Sequence, residues 1–265
     1  MLQSLTTRSD QVWLVTVNGI FVGVLYFQRN ATLPGTDLSL ALATLPSLIG
    51  MNILFGGWMG MTMQLAVERE DGTLLRAKST PDGMVGYLVA RITGVALNTG
   101  LGIAVFLVAG FLILDGLSDV GLFGWLQLVA IFVLGLLATM PWGAIIGSLV
   151  KSSQSGFGLS FLPVSAMVAI SGIFYPISGL PDWLHPVAQV FPVYWLGLGT
   201  RAAMLPDAAV AAEIGNSWRH VETFGVLGLW AVVGLSLAPR VLRRMAQRES
   251  GSVVEARRQH AMQFG

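Results

Sequence analysis

An all-α integral membrane fold is what this 265-residue sequence predicts: six transmembrane helices, cytoplasmic N- and C-termini, and a short outer re-entrant hairpin between the fifth and sixth helices. Three observations lead there. Hydrophobic residues make up 54% of the chain and charged residues only 11%, against about 25% charged in soluble domains, so lipid must serve as part of its solvent. The sequence holds six apolar stretches nearly free of charge. If each crosses the bilayer, twelve of the fifteen Lys and Arg residues collect on one side.

The stretches are Val12–Phe27, Leu38–Val67, Met84–Leu114, Val120–Val150, Gly156–Leu180 and Val221–Pro239. A crossing needs about 20 apolar residues. The first is followed by Gln28-Arg29-Asn30 rather than a small-residue cleavage site, so it reads as a retained helix. The next three are each about 30 residues long and would reach about 45 Å, so they tilt or stand out of the lipid as helical stalks. None alternates apolar with polar residues as a barrel strand does. Between the fifth and sixth stretches, Pro176, Pro181, Pro186, Pro192 and Pro206 punctuate an apolar segment carrying Trp183, Tyr194 and Trp195. Short amphipathic or re-entrant helices at the outer leaflet fit it, each ended by a proline, with aromatic rings at headgroup level. The chain divides into a six-helix transmembrane domain over 1–240 and a basic tail over 241–265.

Positive charge sets the orientation. Arg8, Arg69, Arg76, Lys78, Arg91 and Lys151 fall on one side with Arg240, Arg243, Arg244, Arg248, Arg257 and Arg258, and only Arg29, Arg201 and Arg219 fall opposite. The crowded side is cytoplasmic, and the protein is expected in the inner or plasma membrane. A formal charge of +1 offers nucleic acid no basic surface.

Catalytic chemistry finds no residues. There are no cysteines, and three histidines at 185, 220 and 260 cannot assemble a metal cluster by local spacing. His-Glu-x-x-His and Gly-x-Ser-x-Gly are missing, and no acidic pair lies within a stretch. His185, between Leu184 and Pro186, reads as an interfacial histidine with no role beyond solvation. A phosphate-cradling loop needs Gly-Lys-Ser/Thr, yet the only lysines are Lys78 and Lys151, and Val150 precedes the latter. Any ATP-derived energy must come from another subunit.

The segment from Val67 to Pro81 is the most charged internal loop. Gly72 suits a helix C-cap after Glu68-Arg69-Glu70, and Asp71 or Thr73 could cap a short helix carrying Leu74 and Leu75, which Pro81 would stop. On these residues alone the loop could also be a plain topology marker. Arg91 needs an anion or a lipid headgroup, and Glu68 and Glu70 are available to it. In the second stretch Asn52, Phe55, Met59 and Met63 recur at helical spacing, as do Phe161, Ser165 and Val168 in the fifth. Such stripes serve helix packing as readily as they line a path. Asn52, Gln64, Asn98 and Gln127 are expected as buried polar groups within the spans, suited to interhelical hydrogen bonds.

Two motifs carry a family resemblance. Glu68-Arg69-Glu70, Gly72-Thr73-Leu74, Thr80-Pro81 and Tyr87-Leu88-Val89-Ala90-Arg91 resemble the first cytoplasmic loop of type-2 ATP-binding-cassette export permeases, the group of drug-resistance and polysaccharide exporters. Ser171-Gly172-Ile173-Phe174-Tyr175-Pro176, Leu180-Pro181-Asp182-Trp183-Leu184 and Phe191-Pro192 with Arg201 resemble that family's fifth helix and outer hairpin. The likeness covers about residues 40–240. One departure is the leading amphipathic interface helix, which is shortened or missing, since only ten residues precede Gln11.

The resemblance implies half of a dimeric translocation path for a bulky apolar or amphipathic cargo (drug, lipid or lipid-linked glycan). The chain would pair with a second copy or a related permease and be driven by two separate ATPase subunits, which hold the ATP and magnesium; it needs no cofactor of its own. Glu68, Arg69, Glu70, Gly72, Thr73 and Leu74 would form a coupling helix seated on an ATPase, with Lys151 and Ser152 as the second contact. Gly172, Phe174, Pro176, Pro181, Trp183 and Pro192 would shape the outer hairpin. Asn52, Phe55, Met59, Met63, Phe161, Ser165 and Val168 would line the path. An ion-coupled secondary transporter or a channel is the alternative, opposed by the lack of a mid-span ionisable group.

Overall fold

The computed structural model describes residues 8–32, 38–70, 83–150, 152–174 and 177–248. Its helices are α1 (Arg8–Gln28), α2 (Leu40–Leu54), a π-helical turn (Phe55–Gly60), α3 (Met61–Glu70), α4 (Gly83–Ile113), α5 (Leu122–Leu149), α6 (Ser153–Ile170), α7 (Leu184–Val190), α8 (Pro192–Met204) and α9 (His220–Arg248). Among the described residues no strand forms, only an isolated bridge between Thr32 and Ser39. Five helical rods are long and apolar enough to cross a membrane: Leu40–Arg69, Val89–Ile113, Leu122–Leu149, Ser153–Ile170 and His220–Leu242. Helix α1 adds a shorter apolar piece, Thr16–Gln28. The protein is thus a multi-pass helical membrane protein.

One expected boundary moves. The fifth apolar stretch runs on to Leu180, but α6 stops at Ile170 because the chain turns at Gly172, whose φ is +66°. A Cβ there would also approach Ile177 Cβ to 2.8 Å, so only glycine fits both the left-handed backbone and the space. At the other end, α9 continues past Pro239 to Arg248; residues 249–265 of the basic tail lie outside the described residues.

Lipid gives apolar helices no hydrophobic reason to associate, so close approach and hydrogen bonds must hold them. Helix α5 provides both. Gly135, Thr139, Gly143 and Gly147 recur every fourth residue and receive the rod Leu40–Arg69: a Cβ on Gly143 would sit 2.2 Å from the Trp58 carbonyl, and one on Gly147 2.9 Å from that of Thr62. The Thr62 hydroxyl donates to Gly143 O at 3.0 Å. Helix α6 joins the same seam, where Ser160 Oγ donates to Thr62 Oγ1 at 3.2 Å.

The π turn follows from how this rod is buried. Ile53/Leu54, Gly57/Trp58, Met61/Thr62 and Leu65/Ala66 are alternately buried and separated by half-buried pairs, a repeat of four. In an uninterrupted α-helix the twelve steps from Ile53 to Leu65 would drift by about 120°, since each residue turns about 100°. A π turn absorbs one extra residue and cancels most of that drift, so one face stays against α5 throughout. Gly56 and Gly57 allow the wider turn to wedge between helices: Cβ atoms there would lie 2.1 Å from Thr99 Oγ1 of α4 and 2.0 Å from Thr139 Oγ1 of α5.

Candidate functional site

At the end of α3 the chain leaves the membrane rod toward the charged loop, and two adjacent side chains fasten it. Glu68 forms an ion pair with Arg91 of α4, giving that arginine the anion its apolar surroundings demand. Arg69 donates from Nη1 to Ser148 O at 2.7 Å and to Val150 O at 2.6 Å. Those carbonyls end α5, where the last turn has no intrahelical donor and carries partial negative charge. Glu68 and Arg69 are only 6% and 8% exposed, so both are spent within the chain and grip α4 and α5. Ser152 caps α6, its Oγ accepting from the Ser155 N–H at 3.2 Å. Glu70 is the last residue of α3. Gly72, Thr73, Leu74 and Lys151 lie outside the described residues, as do the expected caps at Asp71 and Thr73.

The two mid-span stripes flank one seam. Asn52, Phe55, Met59 and Met63 all fall on the half-buried strip of the rod, which the π turn keeps in line. Phe161 is 41% exposed and stacks on Phe157 at 5.1 Å, while Ser165 and Val168 are half-buried. Thr62 and Ser160, which bond to each other across the two helices, immediately precede Met63 and Phe161. Gln127 makes the interhelical bond expected of it, donating to Gly199 O at 3.3 Å. Asn98 instead is exposed, and Asn52 Nδ2 packs within 2.9 Å of where a Cβ on Gly102 would lie.

At the opposite end the hairpin dives into the bundle. Pro192 begins α8, the position that tolerates a missing N–H, and nearly all of α8 is buried. Its Thr200 hydroxyl donates to Pro46 O of α2 at 2.8 Å. This is a re-entrant core helix rather than an amphipathic one floating at the interface, and such backbone is tolerated at depth because protein surrounds it. Pro181 O accepts from the Leu184 N–H at 2.8 Å and starts α7, next to Trp183, 69% exposed, and Phe174, 50% exposed. Pro176 lies outside the described residues. His185 corrects its expected solvent role: half-buried, its Nε2 lies 2.8 Å from Ile177 O and 3.1 Å from Leu180 O, closing the turn that precedes α7.

Other hairpin ties were not read from the sequence. Arg201 grips Glu213 with two nitrogens, Nε to Oε1 at 2.6 Å and Nη2 to Oε2 at 3.2 Å, and both side chains are nearly buried. Arg219 lies over the Trp195 ring at 4.8 Å and donates to Gln189 Oε1 at 2.7 Å. Trp230 of α9 donates to Val190 O at 2.9 Å, and its ring meets Trp142 at 4.9 Å, which stacks on Trp58 of the π turn at 6.4 Å. An aromatic chain therefore connects the hairpin with the middle of the rod.

The chain with this arrangement, five membrane-length helical rods and a shorter apolar helix, the end of α3 tied down on one side and a re-entrant hairpin on the other, matches a family model described as "ABC-2 family transporter protein" over residues 20–238. The chain belongs to the ABC-2 transporter family. The match spans every described membrane helix in whole or in part and ends within α9, so this ABC-2 permease is a multi-pass protein of the inner or plasma membrane. It is 25% identical over 182 residues to the probable multidrug ABC transporter permease YbhR of Escherichia coli strain K12, and equally to its counterpart in Escherichia coli O157:H7. Those alignments cover 65% of this chain and 46% of each relative, so the ABC-2 chain spans about half the length of the curated relatives it matches.

Proposed function

We propose that this chain is one half of an ATP-driven exporter's translocation path, pairing with a second permease and driven by two ATPase subunits that dock on its 71–82 loop and on Lys151-Ser152. The observation that carries the reading is the double anchorage of the loop's root. A loop that transmits motion must not slip relative to the helices it moves. Glu68 to Arg91 and Arg69 to Ser148 and Val150 tie that root to α4 and α5 together. In this reading Glu68 and Arg69 are positioning residues, and Glu70, Gly72, Thr73 and Leu74 make the outward contacts.

The cargo is a bulky apolar or amphipathic molecule. The E. coli relatives are named as probable multidrug permeases, and the half-buried strip of Asn52, Phe55, Met59 and Met63 offers an adaptable methionine surface with one amide among apolar groups. In this reading Phe161, Ser165 and Val168 of α6 add to that strip. The loop end faces the cytoplasm, since twelve of fifteen basic residues belong to that side.

The test is to express Glu70→Ala and Leu74→Asp with the ATPase partner. Both variants insert normally, and transport falls away while hydrolysis continues or the ATPase dissociates. Wild-type export with the ATPase bound in both variants would remove the coupling role. Cargo movement by the purified chain without ATP would return the ion-coupled alternative.

A further inference from the structure

We propose that the residues just after α1 (Arg29, Asn30), Ser39 at the start of α2 and the end of α4 together bind the headgroup of a phosphatidylethanolamine-type lipid, with Arg29 taking the phosphate and Asp115 the ammonium. Helix α1 ends at Gln28 and the chain reverses: the Leu40 N–H donates to Ala31 O at 2.8 Å, and Ser39 Oγ donates to Arg29 O at 3.2 Å. Beside it α4 ends at Ile113, and Leu114 is buried. Between these pieces lies a cleft of about 360 Å³ lined by residues including Arg29, Asn30, Ser39 and Asp115.

The charges select the ligand. Arg29 and Asp115 line the same cleft, yet no ion pair joins them, and among the described residues neither has an oppositely charged partner. A ligand carrying both signs a few bonds apart satisfies both. The Arg29 guanidinium is held over the Tyr26 ring, 3.8 Å from its centre, which fixes it on one side while its nitrogens remain free to fork onto phosphate oxygens. That stacking occupies one face of Tyr26, and a quaternary ammonium has no N–H with which to satisfy the Asp115 carboxylate. A primary ammonium can instead donate hydrogen bonds to the Asp115 carboxylate and the Asn30 amide oxygen.

The surroundings make the occupant a lipid rather than a free phosphoamine. Phe27, next to the cleft residue Tyr26, is 85% exposed, and Leu112, which lines the cleft, is 81% exposed; each stands near the end of an apolar helix. They supply the acyl-facing wall that a headgroup in this cleft would need. The site does not depend on the transport reading, only on the membrane one.

The experiment reconstitutes the full chain in nanodiscs of phosphatidylethanolamine, phosphatidylcholine and phosphatidylglycerol in equal parts, then counts retained lipids by native mass spectrometry after transfer to detergent. Wild-type protein keeps phosphatidylethanolamine in preference to the other two. Arg29→Gln lowers retention of all three by about tenfold, the loss of one charge-assisted hydrogen bond. Asp115→Asn abolishes the preference for the primary ammonium but keeps phosphatidylglycerol. Both residues are exposed, so folding, checked by monodisperse elution, is unaffected. Equal retention of the three lipids by wild type, wild-type retention in Arg29→Gln, or a kept preference for phosphatidylethanolamine in Asp115→Asn overturns the proposal. Binding of soluble O-phosphoethanolamine with no lipid retained overturns the lipid assignment.

Discussion

Replacing Arg69 by methionine isolates the joint between the loop root and α5. Methionine keeps an apolar stem along the path the arginine occupies, so the change removes the guanidinium without opening a large hole. Two carbonyls, Ser148 O and Val150 O, lose donors at 2.7 and 2.6 Å. A bond from a charged donor contributes about 1.5–3 kcal/mol; the two share one guanidinium and water can reach the helix end, so the pair together is set at about 3 kcal/mol. That is a shift of about two orders of magnitude in the equilibrium between docked and undocked α3. The amides around the α5–α6 turn, protected by this docking, should exchange with deuterium correspondingly faster, while those of α8 stay unchanged. In the assembled transporter the same variant should hydrolyse ATP with less cargo moved per turnover. Lysine restores part of the effect, because its ammonium can donate to both carbonyls as the single Nη1 does but without the fixed plane of the guanidinium. Unchanged exchange at residues 146–152 together with wild-type coupling in Arg69→Met would refute the anchoring argument.

Three further outcomes follow from the same geometry. Gly57→Ala drives a methyl to 2.0 Å from Thr139 Oγ1 and should cost about 1–3 kcal/mol as overpacking, seen as a lower unfolding midpoint; Thr139→Ala should recover part of it, and strict additivity of the two would argue against direct contact. Arg201→Met strands Glu213 beside a buried wall and should destabilise by about 3–5 kcal/mol, whereas Arg201→Met with Glu213→Leu should return close to wild type in a thermal-shift measurement. Cysteines at Ser79, Ser153 and Ser252 should be shielded from an impermeant thiol reagent added outside, and cysteines replacing Asp37 and Asp207 should label; outside labelling at 79 would break the six-span orientation.

The helices were legible because a bilayer punishes charge over a fixed length, and that rule acts on composition alone. The hairpin showed through its prolines, which end helices locally whatever surrounds them. Its burial did not, because Thr200 reaches Pro46 across 154 positions and nothing near either residue signals the other. The same distance hid the fate of Glu68 and Arg69: their residue types suit an external partner as well as an internal one, and only the fold brings Arg91, Ser148 and Val150 alongside. Arg201 and Glu213 are twelve positions apart, but the turns between them decide whether they meet. The π turn left a faint trace in the four-residue repeat of Ile53 to Ala66, invisible until burial is known because glycine, threonine and methionine all occupy the buried side.

That turn changes what a missing residue would mean. Removing one residue from an ordinary membrane helix swings everything beyond it by about 100°, which here would pull Glu68 from Arg91 and Arg69 from the end of α5. Between Phe55 and Gly60 the surplus residue has already been taken up sideways. Shortening the chain there by one returns the segment to α-helical geometry and leaves both ends of the rod facing their neighbours. When sequences of different length are laid against this span, a one-residue gap belongs inside Phe-Gly-Gly-Trp-Met-Gly, where it is silent, and not in the flanking helix, where it would scramble the faces.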